Sequence, residues 1–160
     1  MDRKHRLLIV DQNPYVADIL VQTLRQDFAI TVAKSGQEAA QLIVQGCRFD
    51  CVLTELNLPS LGGLELTRLI RTNRLMSHIP VVALSDAHDS NTRIRSLEEG
   101  VDNVILKPFN PLEVKAKLHA LLRRTVFPAE EGLKRPVLAR MQPRTNLLRQ
   151  LRSRVMSLIL

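Results

Sequence analysis

The chain has 160 residues, 45% hydrophobic and 24% charged, which suits one domain with a buried core and an appendage. Aromatic residues make up 3%, so the core must consist of Leu, Ile and Val, and the base-stacking surface of a single-strand nucleic-acid binder is missing. The formal charge of +7 lies wholly within residues 123–160, where nine Lys or Arg residues outnumber Glu130 and Glu131, while residues 1–122 are neutral overall.

Five short apolar runs occur along the chain, and a helical pattern of hydrophobic residues follows each of them. Asn13 and Asn110 precede prolines at the first position of a helix and are expected N-caps, whereas Gly46 and Gly100 stand where helices end. The predicted elements, in chain order, are strand 6–10, helix 14–26, strand 29–33, helix 36–45, strand 51–56, helix 63–72, strand 80–85, helix 90–99, strand 103–106 and helix 111–123.

The predicted strands are nearly continuous apolar runs rather than alternating ones, which indicates that helices cover both of their faces. Five strand–helix units with right-handed crossovers form a doubly wound parallel sheet of the α/β class. In such a sheet, ligands bind beyond the carboxyl ends of the strands, where the strand order reverses. The residues at those ends are therefore the candidate site.

Polar side chains stand at or just beyond the ends of four predicted strands: Asp11 with Gln12, Glu55, Ser85 and Lys107. Carboxylates suit Mg²⁺, a lysine attracts anionic oxygens, and a hydroxyl can donate to a phosphoryl oxygen. Each residue alone has an ordinary explanation, such as a helix cap or a solvated surface lysine. Their convergence on one edge favours a phosphate site, either functional or formerly functional.

Over about residues 5–124 the chain resembles the receiver domain of two-component response regulators, on the stretches LLIVDQNPYVADIL, FDCVLTELNLPSLGGLEL, IPVVALSDAHD and GVDNVILKPFNPLEV. The resemblance implies a flavodoxin-like sheet with strand order 2-1-3-4-5. It also implies a histidine kinase as partner, an aspartate ending the third strand as phosphoacceptor, and two acids after the first strand that hold Mg²⁺.

Asp11, Ser85 and Lys107 match the residues that the resemblance implies, and Asn57 stands where a backbone carbonyl helps to hold the metal. Three positions depart from the pattern. They are Glu55 at the phosphoacceptor, Gln12 at the second acid and Val104 at the switching aromatic residue.

Each departure weakens phosphate chemistry. Glu55 is longer than aspartate by one methylene, about 1.5 Å, and misplacements near 1 Å cost around a hundredfold in rate. Gln12 offers no charge to Mg²⁺, and Val104 cannot swing a ring inward over Ser85. We therefore expect no bound cofactor and at most weak Mg²⁺ binding. Glu55 either mimics part of a phosphoryl group or pairs with Lys107 and only stabilises the fold, and the sequence leaves both open.

The basic tail divides into a Pro- and Gly-containing linker at 125–143 and a basic amphipathic helix at 144–160. The helix is expected to dock on its own domain or pair with a second copy, with an anionic membrane, a partner groove or nucleic acid as alternatives. The proposed interface residues are Leu148, Leu151, Val155 and Leu158, and the nucleic-acid candidates are Arg149, Arg152 and Arg154.

These observations predict a non-enzymatic signalling module that acts through contact with a protein. The resemblance implies that this contact is made by the fourth and fifth strand–helix units. The alternatives are a phosphorylatable receiver in a phosphorelay and a regulator that binds nucleic acid through the tail. The N-terminal apolar run is too short for a signal peptide, and no run approaches the length of a membrane span. The expected location is the cytoplasm.

Overall fold

The computed structural model describes residues 3–126. Within them, five strands alternate with five helices, which confirms the predicted order, with differences of one to three residues at several ends. The elements are β1 His5–Val10, α1 Pro14–Leu24, β2 Phe28–Ala33, α2 Gly36–Val44, β3 Cys51–Glu55, α3 Gly63–Thr72, β4 Val81–Ser85, α4 Ser90–Glu98, β5 Asn103–Leu106 and α5 Pro111–Val126.

The strands form one parallel sheet in the order β2-β1-β3-β4-β5, as predicted. Leu7 pairs with Cys51 where β1 meets β3, and Leu84 pairs with Ile105 where β4 meets β5. The chain reverses its direction of winding between β1 and β3. The carboxyl ends of these two strands therefore border the crevice in which such sheets bind ligands.

Both faces of the sheet are covered, which accounts for the continuous apolar runs in the sequence. Leu8 and Val10 of β1 pack into a core cluster with residues of α2 and α3 on one face. Leu7 and Ile9, the alternate residues of the same strand, pack with residues of α1 and α5 on the other. The two layers hold the strands rigidly and so fix the positions of the residues that follow them.

The helix ends follow the predicted signals. The Asn13 side chain accepts a hydrogen bond from the Tyr15 N–H at 3.0 Å, and Asn110 caps α5 in the same way. Gly46 and Gly100 follow α2 and α4 with φ of 92° and 108°, in the left-handed region that favours glycine. The two asparagine caps thus fix the helix starts at the carboxyl edge of the sheet, and the two glycines lie in the loops that lead back to its amino edge.

The C-terminal region lies largely outside the described residues. Helix α5 continues to Val126, so the first two residues of the predicted linker are helical. The rest of that linker and the predicted amphipathic helix at 144–160, with its leucine stripe and arginines, lie outside the described residues. None of the helices within residues 3–126 has the length and apolar content that crossing a bilayer requires.

Gly63 is the point at which the first turn of α3 packs against the end of β3. A Cβ atom added there would lie 2.4 Å from the Glu55 carbonyl oxygen and 2.9 Å from the Leu56 Cα, and neither backbone atom can yield easily. We expect Gly63→Ala to lower the free energy of unfolding by about 1–3 kcal/mol, measured by urea denaturation.

The neighbouring glycine provides the matched control. A Cβ atom at Gly62 would meet only the Leu56 carbonyl oxygen, at the ordinary distance of 3.5 Å. Gly62→Ala should therefore cost less than about 1 kcal/mol, the usual effect of a poorer N-cap. Equal losses in the two variants would contradict the packing argument.

Candidate functional site

The candidate residues meet at the carboxyl edge of the sheet. Asp11 follows β1, Glu55 and Ser85 end β3 and β4, and Lys107 follows β5. Asp11, Glu55 and Ser85 are 3%, 3% and 2% exposed. The Lys107 N–H donates to the Ser85 carbonyl at 2.9 Å, which extends the strand pairing beyond β5 and holds the lysine backbone at this edge. The peptide bond that joins Lys107 to Pro108 is cis.

The centre of the site is an ion pair between Lys107 and Glu55. The lysine Nζ donates to Glu55 Oε2, and it lies 3.9 Å from Asp11 Oδ2. The other carboxylate oxygen, Glu55 Oε1, accepts a hydrogen bond from the Asn57 N–H at 3.0 Å. Both oxygens of the glutamate are thus engaged by groups of the protein itself.

The acids around Lys107 determine its protonation. Burial by itself lowers the pKa of a lysine, but the hydrogen bond with Glu55 and the charges of Glu55, Asp11 and Asp86 outweigh this effect and raise the pKa of Lys107 above 10.5. The stability that this shift contributes is therefore fully present below that ordinary value and is lost only as pH rises through the raised pKa. The lysine is a cation at neutral pH.

Only one of the two carboxylate oxygens of Asp11 has a hydrogen-bond partner within residues 3–126. Its Oδ1 accepts the Asn13 N–H at 2.8 Å. Its Oδ2 is buried and has no hydrogen-bond partner among residues 3–126. A buried acceptor without a partner costs about 1–3 kcal/mol, and the cation of Lys107 offsets part of this cost. Among the described residues, Asp11 Oδ2 is the one buried oxygen of the site that is free to accept a further ligand.

Within residues 3–126, no side-chain hydrogen bond or ion pair joins the remaining predicted residues to Glu55 or Lys107. Ser85 Oγ accepts the Ala87 N–H at 3.0 Å, and within the described part of the chain no hydrogen bond joins it to Glu55. Gln12 is exposed. Val104 is half-buried against the core on the α2–α3 face. The glutamate therefore bonds to Lys107 and not to Ser85, a contact that is compatible with both sequence hypotheses for Glu55.

Asp86 was missed by the sequence analysis. Its charge contributes to the raised pKa of Lys107, and its signal in the sequence was its place directly after the Ser85 that ends β4.

A cavity of about 470 Å³ also opens beside the ion pair, between the loops after β3 and β4. Its lining residues are Leu56, Asn57, Leu64, Ser85, Asp86, Ala87 and Thr92.

Comparison with known proteins gives one consistent result. Residues 7–119 match the family model described as "Response regulator receiver domain". The chain is 34% identical over 122 residues to the transcriptional regulatory protein SrrA of Staphylococcus aureus, an alignment that covers 76% of this chain and 49% of that protein. The chain thus spans about half the length of the curated relatives that it matches.

Two solved structures show the same fold. A response regulator from Chloroflexus aurantiacus superposes with a TM-score of 0.71 at 31% identity, covering 76% of this chain and all of that one. The receiver domain of a sensor histidine kinase from Pseudomonas aeruginosa superposes with a TM-score of 0.68 at 25% identity, covering 76% and 99% of the two chains. The latter structure carries a magnesium ion coordinated in its active-site cleft.

The residues of this chain fit a magnesium ion poorly. Within residues 3–126, no group of three or more His, Cys, Asp or Glu side chains is arranged to hold a metal. Both Glu55 oxygens are engaged, and the exposed Gln12 brings no charge, so Asp11 Oδ2 is the main free donor. Mg²⁺ sheds its waters reluctantly and is held in proteins through carboxylates, so one free oxygen beside a lysine cation supports weak binding at best.

Restoring the second acid should improve metal binding. We expect Gln12→Asp to raise the affinity for Mg²⁺ by about tenfold or more, because ligand charge largely determines affinity for a hard cation. Isothermal titration calorimetry measures the change. Gln22→Asp, at an exposed position of α1, adds the same charge elsewhere and should have no effect. Tight binding by the unmodified chain would contradict this assignment of donors.

Removing the cation should destabilise the fold. We expect Lys107→Met to lower the free energy of unfolding by about 3 kcal/mol at neutral pH, the low end for a broken buried pair, since the lysine side chain is 19% exposed.

Urea denaturation at neutral pH tests this prediction, and Lys115→Met is the control. Lys115 pairs with Asp27 at 2.7 Å on the surface, where an ion pair contributes little. The control should lose much less stability than Lys107→Met. Similar losses in the two variants would show that the Glu55–Lys107 pair has no special role.

Proposed function

The chain belongs to the response regulator receiver domain family, and we propose that it is a non-catalytic member, which signals through protein contacts and not through phosphoryl transfer. The observation that supports this proposal is the Glu55–Lys107 ion pair. A receiver that accepts phosphate needs a free carboxylate oxygen as nucleophile and a free cation for the phosphoryl oxygens. In this chain the two groups neutralise each other.

The geometry of Glu55 supports the same proposal. One oxygen is held by Lys107 and the other by the Asn57 N–H, so attack on a phosphodonor would have to break one of these bonds. The exposed Gln12 adds no charge that could recruit Mg²⁺ to the reaction. The single charge of Glu55 is also less than the roughly −1.5 to −2 of a phosphoryl group. Glu55 is thus a partial substitute for phosphate that is always present.

A module of this kind acts through its surface, and we place the contact with a protein partner on the fourth and fifth strand–helix units. Helix α4 buries only Ser96, while Ile94 and Leu97 on the same helix are 52% and 50% exposed. Exposed aliphatic side chains at positions i and i+3 of one helix suit contact with a protein. The Glu55–Lys107 pair ties the end of β5 to β3 and so holds this surface in one arrangement.

Two other functions have some support. The free Asp11 Oδ2 favours a receiver that still binds Mg²⁺ and accepts phosphate. The name of the Staphylococcus aureus relative and the excess of basic residues after residue 122 favour a regulator that contacts nucleic acid. The first requires Glu55 to leave its lysine, and the second depends on residues outside the described part of the chain.

A small acyl phosphate with Mg²⁺ tests the proposal directly. We expect the intact mass of the full chain to remain unchanged, because the nucleophile and the cation are paired with each other. The double variant Gln12→Asp with Glu55→Asp restores both acids and shortens the side chain, and it should gain the mass of one phosphoryl group.

The double variant shows that the donor and the assay are competent, so a negative result with the unmodified chain is informative. A phosphoryl group on the unmodified chain that disappears in Glu55→Gln would overturn the proposal in favour of a phosphorylatable receiver. A modification that persists in Glu55→Gln would indicate labelling at another residue.

A further inference from the structure

The fold separates charges that nearly balance along the first 122 residues. The amino edge of the sheet is formed by the segments 3–4, 25–27, 45–50, 73–80 and 99–102, together with the last turn of α5. These segments hold seven Lys or Arg residues and four acids. We refer to the seven cations as the amino-edge basic surface: Arg3, Lys4, Arg25, Arg48, Arg74, Arg123 and Arg124.

The carboxyl edge has the opposite balance. The residues that end or follow the strands there include four acids and only two lysines, and one of these lysines is Lys107 of the ion pair. The acids are Asp11, Glu55, Asp86 and Asp89, and the second lysine is Lys34. The domain is therefore polarised along its strands, with positive charge at the amino edge.

The four acids of the amino edge do not neutralise its cations, because the fold already engages them. Three form ion pairs with residues outside the basic surface: Asp27 with Lys115, Glu99 with Arg68, and Asp102 with Arg71. The fourth, Asp50, accepts a hydrogen bond from the Arg6 N–H at 2.7 Å.

The seven cations remain available to a partner. All of them are exposed, and within residues 3–126 no ion pair joins any of them to an acid. The Lys4 Nζ donates to the Arg25 carbonyl oxygen at 3.1 Å, which places these two residues side by side. Clustered cations without acidic partners attract a polyanion.

The composition and width of the surface suit phosphates on a regular backbone. Six of the seven cations are arginines, whose planar guanidinium groups bind phosphate oxygens through two parallel hydrogen bonds. Five strands spaced about 4.8 Å apart make an edge roughly 20 Å wide. Duplex DNA carries one negative charge per about 1.7 Å of its axis. Several arginines can thus contact one duplex together.

The side chains around the surface favour a duplex over a single strand or a membrane. Phe28 and Phe49 are 2% and 4% exposed, and the other described aromatic residues, Tyr15 and Phe109, lie toward the carboxyl edge. The described part of the surface thus lacks rings on which bases could stack. Leu75 is the one large apolar side chain exposed in these segments, which is little for insertion into a bilayer.

We infer that the amino-edge basic surface binds the phosphate backbone of double-stranded nucleic acid without reading its sequence. The surface consists of the folded domain alone and is distinct from the basic residues that follow Val126. The inference is independent of the proposed function, because it involves no residue of the Glu55–Lys107 site.

Removal of two arginines from the surface tests the inference. We expect Arg48→Gln with Arg74→Gln, in the full chain, to weaken binding to a short labelled DNA duplex by about tenfold or more at about 100 mM salt, because phosphate contacts are lost. Fluorescence anisotropy measures the affinity. The slope of log affinity against log salt concentration should become shallower by about 2. Residues after 126 are unchanged, so the difference reports on the domain.

The matched control is Lys34→Gln with Arg93→Gln, which removes the same charge at the carboxyl edge and on α4. All four side chains are exposed, so neither double variant should change the midpoint of urea denaturation. The control should keep the affinity and the salt slope of the unmodified chain. Equal effects in the two double variants, or no effect in either, would overturn the inference.

Two further results would also overturn it. One is the absence of duplex binding by the unmodified chain at about 50 mM salt, where phosphate contacts are strong. The other is co-sedimentation with phosphatidylserine vesicles that Arg48→Gln with Arg74→Gln abolishes, without duplex binding. That result would assign the surface to an anionic membrane.

Discussion

The requirement that buried charges be paired organises the carboxyl edge of this protein. Three side chains with ionisable or strongly polar groups, Asp11, Glu55 and Ser85, are almost fully buried there, and the cation of Lys107 stands among them. A carboxylate in such surroundings must find a cation or be neutralised. Glu55 is long enough to reach the lysine that follows β5, and the pair then joins the ends of two strands that are separated by β4.

One consequence concerns the ability to switch. A receiver that cycles needs two arrangements of its edge that differ by only a few kcal/mol, so that a phosphoryl group can move the balance between them. In this chain the negative charge is that of the Glu55 side chain and is always present. The Glu55 oxygen that does not bond Lys107 accepts a hydrogen bond from the Asn57 N–H. The backbone of Gly63, at the start of α3, packs against the carbonyl group of the same glutamate. This contact restrains the end of β3. These contacts favour one arrangement over two.

The sequence predicted the scaffold well because the signals that determine it are local or periodic. Apolar runs identified the strands, asparagine and glycine identified helix ends, and the common edge of a parallel sheet brought Asp11, Glu55 and Lys107 together without any knowledge of contacts. The individual bonds were beyond prediction, because they depend on fractions of an ångström. The sequence offered Lys107 as a partner for Glu55 but could not show that Ser85 bonds elsewhere, and nothing in it reveals that one Asp11 oxygen lacks a partner.

If the edge is held in one arrangement, regulation must come from what binds the surface. Moving a two-state equilibrium from 1:99 to 99:1 requires a difference in binding free energy of about 5.5 kcal/mol, and breaking a buried ion pair costs about 3–5 kcal/mol. A protein partner that contacts the exposed face of α4 has enough binding energy for such a change only if it prefers the arrangement in which Lys107 leaves Glu55. A partner without that preference binds the fixed surface as it stands. Under the proposed function, the ion pair lets this domain present a constant surface, and its regulation then depends on how much of that surface other molecules cover.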